Sequence, residues 1–351
     1  MKPPPRYPCP SSKVCLLRKA LYGLKQAPLE WFDKFSTTIC SLGFTSSPHE
    51  NVLFIHKSER GVVLLLLYVN DMIITGDNID GISDLKALLH GTFEMKDLGS
   101  LSYFLSLEII STDDGIYLSQ AKYASDLLVH AGITDSHTES TPLEANVRFI
   151  PMDGTVLDNP TLYRQLVGGL VYLTVTQLDI AYPVHVLSQF LSAPRTTHYA
   201  AVLRILRYIK GTLFHGLYFF AHSSLSLQAY SNADWAGDPT DRHSTTGYCL
   251  FLGVLRSKRS LLAQAQKLNT VSSLIPLLRL SRFVGSSKIW IAHNDVFHER
   301  TKHIEIDCHF VRQRILIDVV RLIAVGTLDQ TADIFTKVHH PTRFRTLLSK
   351  L

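Results

Sequence analysis

Asn70 and Asp71 stand between two short apolar runs, residues 64–69 and 72–74. The runs are rich in leucine and β-branched side chains and are bounded by Gly61 and Gly76, a pattern of paired strands and not of a helix. Asn and Asp favour tight turns, so the spacing predicts a hairpin whose tip projects the Asp71 carboxylate from a rigid apolar base. Two carboxylates at such a tip can bridge divalent cations that activate a hydroxyl and steady a leaving group. Here the first position is an amide, which offers a carbonyl oxygen to a metal but brings no negative charge.

Two further clusters invite a chemical reading. His298, His303, Cys308 and His309 are zinc-ligand types, yet their steps do not give the paired approach of a finger or knuckle. Arg204, Arg207 and Lys210 form one row of a helix expected over residues 198–210, opposite Tyr199, Val202, Leu206 and Ile209. That row could meet phosphates or be an ordinary solvated face; both readings stand at this level.

The elements that must position these groups follow from periodicity and punctuation. After an extended Pro-rich lead-in over residues 1–12, helices are predicted for 29–39, ending near Gly43, and for 84–92. Strands are expected over 103–111 and 115–118, joined by a Thr-Asp-Asp-Gly turn, with a helix over 121–132. Residues 140–159 lose all period and read as a linker, and a helix is expected over 163–177. Later strands are placed over 225–230, 246–252, near 264–272 and over 321–325. A helix over 301–315 carries Cys308 on its apolar stripe, and 333–337 opens a final helix.

With 351 residues and 46% hydrophobic content, the chain has material for two or three globular domains. A net charge of +5 is compatible with a polyanionic partner but too mild to demand one. Five scattered cysteines fit reduced thiols and an intracellular setting better than a disulfide framework. The longest apolar run, residues 62–69, is too short to cross a bilayer, so no membrane role is expected.

Tyr68-Val69-Asn70-Asp71 resembles the Tyr-X-Asp-Asp box of reverse transcriptases, and its surroundings are similar to the copia-type retrotransposon Pol polyprotein. Upstream, Leu21-Tyr22-Gly23-Leu24-Lys25-Gln26-Ala27-Pro28-Leu29-Glu30-Trp31 matches that family's Leu-Tyr-Gly-Leu-Lys-Gln-Ala-Pro-Arg-X-Trp signature, with Leu29 in place of arginine. Downstream, Tyr103-Phe104-Leu105-Ser106-Leu107-Glu108-Ile109 continues the pattern, with Ser106 where the family has glycine. Tyr230-Ser231-Asn232-Ala233-Asp234-Trp235-Ala236 looks like the opening strand of a ribonuclease H domain, and Ala332-Asp333-Ile334-Phe335-Thr336-Lys337 like its last acidic segment.

The resemblance implies an α+β fold: a partial reverse-transcriptase palm over 1–139, a linker and connecting helices over 140–221, and an incomplete ribonuclease H-like α/β domain over 222–351. It implies nucleotide or template contacts for Gly23, Lys25 and Gln26, with Gly23 permitting close backbone approach. It places Asp71 and the degenerate Asn70 at one metal centre, and Asp333 with the degenerate Asn232 at another. Mg2+ or Mn2+ would be the cofactor, and RNA, DNA or an RNA-DNA hybrid the partner. An earlier aspartate-bearing strand would lie before Met1, and residues 274–288 have no family counterpart and read as a deletion scar. The expectation is therefore a truncated, degenerate RNA-directed DNA polymerase and ribonuclease H without activity. The alternatives are a non-catalytic nucleic-acid-binding protein and a translated pseudogene.

Overall fold

The computed structural model describes residues 23–48, 50–69, 71–93, 95–133, 137–222, 227–234, 245–255, 258–264, 323 and 325–351. The chain divides into two compact units, one within Met1–Gly99 and the other containing the described residues from Ser100 onward.

In the first unit, Pro28 sits in the opening turn of α1 (Ala27–Ser41), where its missing N–H costs nothing, and α1 buries Phe35 and Ile39. An antiparallel meander follows: β1 (Thr45–Ser46), β2 (Leu53–Ser58), β3 (Gly61–Tyr68) and β4 (Asp71–Gly76), paired in that order. Alternation along β3 turns Val63, Leu65 and Leu67 into a core with Phe35, Ile39 and Phe54. Helix α2 (Ile79–Phe93) closes this core with Leu85 and Leu89. It begins earlier than its apolar period suggests, because the Asn78 side chain accepts from Gly81 N–H at 2.9 Å and satisfies the first turn.

The second unit opens with a correction. Residues 103–111 are not one strand but a tight hairpin, β5 (Tyr103–Phe104) and β6 (Leu107–Thr112), turned by Leu105 at φ 49° and Ser106 at φ 58°. Consecutive left-handed residues are the geometry of a two-residue hairpin turn. Strand β7 (Gly115–Ser119) pairs with β6 and, on its other side, with β8 (Gly216–Phe220), a strand the sequence reading missed. Helices α3 (Ala121–His130), α4 (Pro160–Leu173), α5 (Ala181–Ser188) and α6 (Thr196–Gly211) form the main core, with Tyr163, Leu166, Leu170, Leu187, Ile205 and Ile209 fully enclosed. Residues 140–159 are irregular as expected, yet they are fastened down. Leu143 is buried, and the Arg195 guanidinium donates to the carbonyls of Pro151 and Gly154 at 2.9 Å each.

Strands β9 (Leu227–Ala233), β10 (Thr246–Leu255) and β11 (Lys258–Gln264) make an antiparallel sheet in the order β11-β10-β9. A 3-10 turn over Thr331–Phe335 packs on β10 so closely that a side chain at Gly247 would lie 2.5 Å from Phe335 Cβ. The helix expected to open at 333–337 does not continue: the chain extends at His340 and restarts as α7 (Pro341–Leu348). Pro341 disfavours helical geometry in the residue before it, which separates the two segments. Of the strand expected over 321–325, Ile323 and Val325 are described and neither is in a strand. The helix expected over 301–315, the His298, His303, Cys308 and His309 cluster, residues 1–12, 265–272 and the 274–288 segment lie outside the described residues.

Candidate functional site

At the hairpin, β3 and β4 stay in register up to Tyr68 opposite Asp71, with Val69 beyond the last pair. Asn70 lies outside the described residues. Asp71 is exposed at the head of β4, Tyr68 and Val69 flank it in solvent, and Leu65 and Leu67 are buried beneath. Val69 holds φ 51°, an uncommon conformation for a β-branched residue and a local strain at the tip. The hairpin therefore presents one described carboxylate on a rigid base.

Gly23, Lys25 and Gln26 precede α1 and are exposed. Gly23 takes φ 88°, and no atom lies within 4 Å of the place a Cβ would occupy. Backbone conformation, and not a close approach within the described chain, is what calls for glycine there. Gln26 occupies the N-cap position of α1 without a side-chain capping hydrogen bond.

The second centre is assembled from distant segments. Asn232 on β9 donates its amide to Asp333 Oδ1 at 2.6 Å and to Thr336 Oγ1 at 2.9 Å. Asp333 is 3% exposed, and its carboxylate also meets Lys337 Nζ at 3.1 Å and an Arg343 guanidinium nitrogen at 3.6 Å. The two positions that the sequence pairs by resemblance thus meet in space. Their donor set does not suit a divalent cation: the single acid is already surrounded by an amide and two cations, and adding a metal would stack positive charge on positive charge. Asp234, one residue past the end of β9, accepts from Thr245 N–H beside the β9–β10 pairing.

On α6, Arg204 is held by Glu139 at 3.0 Å and Glu144 at 3.3 Å, so its charge is compensated inside the chain. Arg207 and Lys210 on the same helix are half-buried and engaged. Among the described residues no group of three or more His, Cys, Asp or Glu gathers as a metal site. No helix among them is long and apolar enough to cross a membrane.

Sequence reasoning missed two buried polar anchors. Tyr208 O–H donates to Asp179 Oδ2 within the helical core; burial pushes the Asp179 carboxyl up despite that bond and pushes the Tyr208 phenol far up. His198 is wholly buried, accepts from Arg195 N–H at 3.1 Å, lies 3.2 Å from the Ile150 carbonyl and stacks on Phe190; burial lowers its pKa. Both anchors are uncharged-favouring positions deep in helical packing, where periodicity marks only the apolar neighbours.

The family described as reverse transcriptase (RNA-dependent DNA polymerase) matches residues 1–145. The Retrovirus-related Pol polyprotein from transposon RE1 of Arabidopsis thaliana is 38% identical across 96% of this chain and 25% of its own length. The one from transposon RE2 of the same plant is 35% identical with the same coverage, 96% and 25%. An uncharacterized mitochondrial protein of Arabidopsis thaliana is 43% identical across 54% of this chain and 78% of its own length. No solved structure matches. The hairpin and these likenesses define a protein with a reverse transcriptase module. The chain belongs to the copia-type retrotransposon Pol polyprotein family, and it spans about a quarter of the length of the RE1 and RE2 relatives.

Proposed function

We propose that this chain engages nucleic acid as a copia-type Pol descendant but carries out neither polymerisation nor RNA cleavage. The observation that carries this reading is the hairpin tip, where Asp71 follows an asparagine and leaves one carboxylate where metal-dependent phosphoryl transfer needs more. Primer extension on an RNA template with Mg2+ or Mn2+ tests it; none is expected.

We assign residues 1–139 to the palm, 140–221 to a linker and connecting helices, and 222–351 to a degenerate ribonuclease H-like domain. The sheet β11-β10-β9 and the meeting of Asn232 with Asp333 support the last assignment. Nucleic acid, as RNA, DNA or their hybrid, would be held through phosphates. Exposed Lys25, with Gly23 and Gln26 beside it, supports contact near α1. On α6 we assign phosphate contact to Arg207 and Lys210 and leave Arg204 to its carboxylate partners. Such binding is weak and salt-sensitive, because it rests on modest positive charge.

A further inference from the structure

The carboxylate of Asp333 is almost fully enclosed, and among the described residues every group aimed at it donates. Oδ1 receives the Asn232 amide and the Lys337 ammonium, and Oδ2 faces Arg343. The amide orientation follows from chemistry, since an ionised carboxylate can only accept and must therefore see Nδ2. Thr336 Oγ1 accepts from the same Nδ2 and in turn donates to the Asp333 carbonyl at 3.2 Å.

The network reaches beyond this pair. Arg343 on α7 also donates to the carbonyls of Leu328 and Thr327, and Gln330 donates from its side chain to the Ser231 carbonyl at 3.0 Å. Strand β9, the 3-10 turn and α7 are thereby tied to one buried anion. With an aspartate at position 232, two carboxylates would face each other here and would repel unless a cation or a shared proton lay between them.

We propose that Asn232, Lys337 and Arg343 form an internal cation-and-amide latch on Asp333 that stands in for a metal ion, so that the C-terminal module is held together without divalent cations. The latch joins β9 to the end of the chain by a charge-assisted network whose members are already satisfied. Among the described residues a divalent ion finds no vacant acid beside Asp333, and Lys337 and Arg343 oppose its approach. The inference rests on these side chains alone and holds whatever the hairpin of the first unit does.

Hydrogen exchange on the full chain tests it, read over Leu227–Ala233 and Thr331–Phe335 in chelator and in millimolar Mg2+ or Mn2+. Protection in the unsubstituted protein is expected to be the same in both conditions. Asn232→Asp is expected to lose about tenfold in protection in chelator and to regain it with metal, because two carboxylates are then juxtaposed. Asn232→Leu, which removes the donor without adding charge, is expected to lose protection equally in both conditions. The latch is overturned if metal raises protection in the unsubstituted protein, or if Asn232→Asp exchanges alike with and without metal.

Discussion

The side-chain amide of Asn232 lies 2.6 Å from the carboxylate of Asp333, across 101 positions of sequence. A neutral donor against a single acid is a stable pairing in itself, whereas two acids at that distance would repel. The same substitution, Asn for an acid, marks the hairpin at position 70. On the proposed reading, both positions where metal-binding carboxylates would gather carry an amide instead.

Ser106 is held at φ 58°, where a side chain is strained and glycine is not. Ser106→Gly is expected to stabilise the protein by about 1 kcal/mol in urea unfolding. A loss of stability would show that the Ser106 side chain contributes more than its backbone costs.

Tyr208→Phe removes the hydroxyl that donates to buried Asp179. The orphaned carboxyl should cost about 1–3 kcal/mol. Urea midpoints of the variant and the parent protein measure this, and an unchanged midpoint would mean that the bond contributes nothing net.

His185, His198 and His339 all have pKa values lowered chiefly by burial. Their unfolded values are near 6.5, so below that pH the unfolded chain binds protons that the folded chain refuses. Stability from these groups is fully present above about pH 7 and falls as pH drops through 6.5 towards the folded values. Asp179 acts in the opposite sense: its raised pKa contributes stability at low pH that is lost as pH rises above 3.8 through its folded value. His198→Gln isolates one imidazole, and its unfolding midpoint should fall less between pH 7.5 and 5.5 than that of the parent. An equal fall would exclude His198 as a source of the slope.

Arg204→Ala should weaken the fold by about 1 kcal/mol through its part-buried ion pairs with Glu139 and Glu144. Its effect on affinity for a short RNA-DNA duplex should stay within about twofold, and the salt dependence of binding should be unaltered. A reduced salt slope would put Arg204 on a phosphate.

Two short apolar runs bounded by Gly61 and Gly76 around an Asn-Asp pair made the hairpin legible, and burial then alternates along β3. The same kind of signal misread residues 103–111, because Leu105 and Ser106 turn the chain without the Gly or Asn that normally announces such a turn. The early start of α2 is owed to the Asn78 cap, a signal present in the sequence but outside the apolar period. The restart at α7 was likewise written in Pro341. Pairing of β7 with β8 and the contacts of Asp333 with Asn232 and Arg343 are long-range, and no local pattern encodes them. Family likeness linked positions 232 and 333, while the cations around Asp333 were visible only once the chain was folded.

Template-dependent primer extension tests the central claim most directly. The purified chain, its Asn70→Asp variant and its Asp71→Ala variant are offered an RNA template, a DNA primer and nucleotides with Mg2+ or Mn2+. With one carboxylate at the hairpin tip, the unsubstituted chain is expected to extend no primer above the Asp71→Ala background, and Asn70→Asp alone is expected not to rescue it. Incorporation that depends on template and disappears with Asp71→Ala would contradict the account.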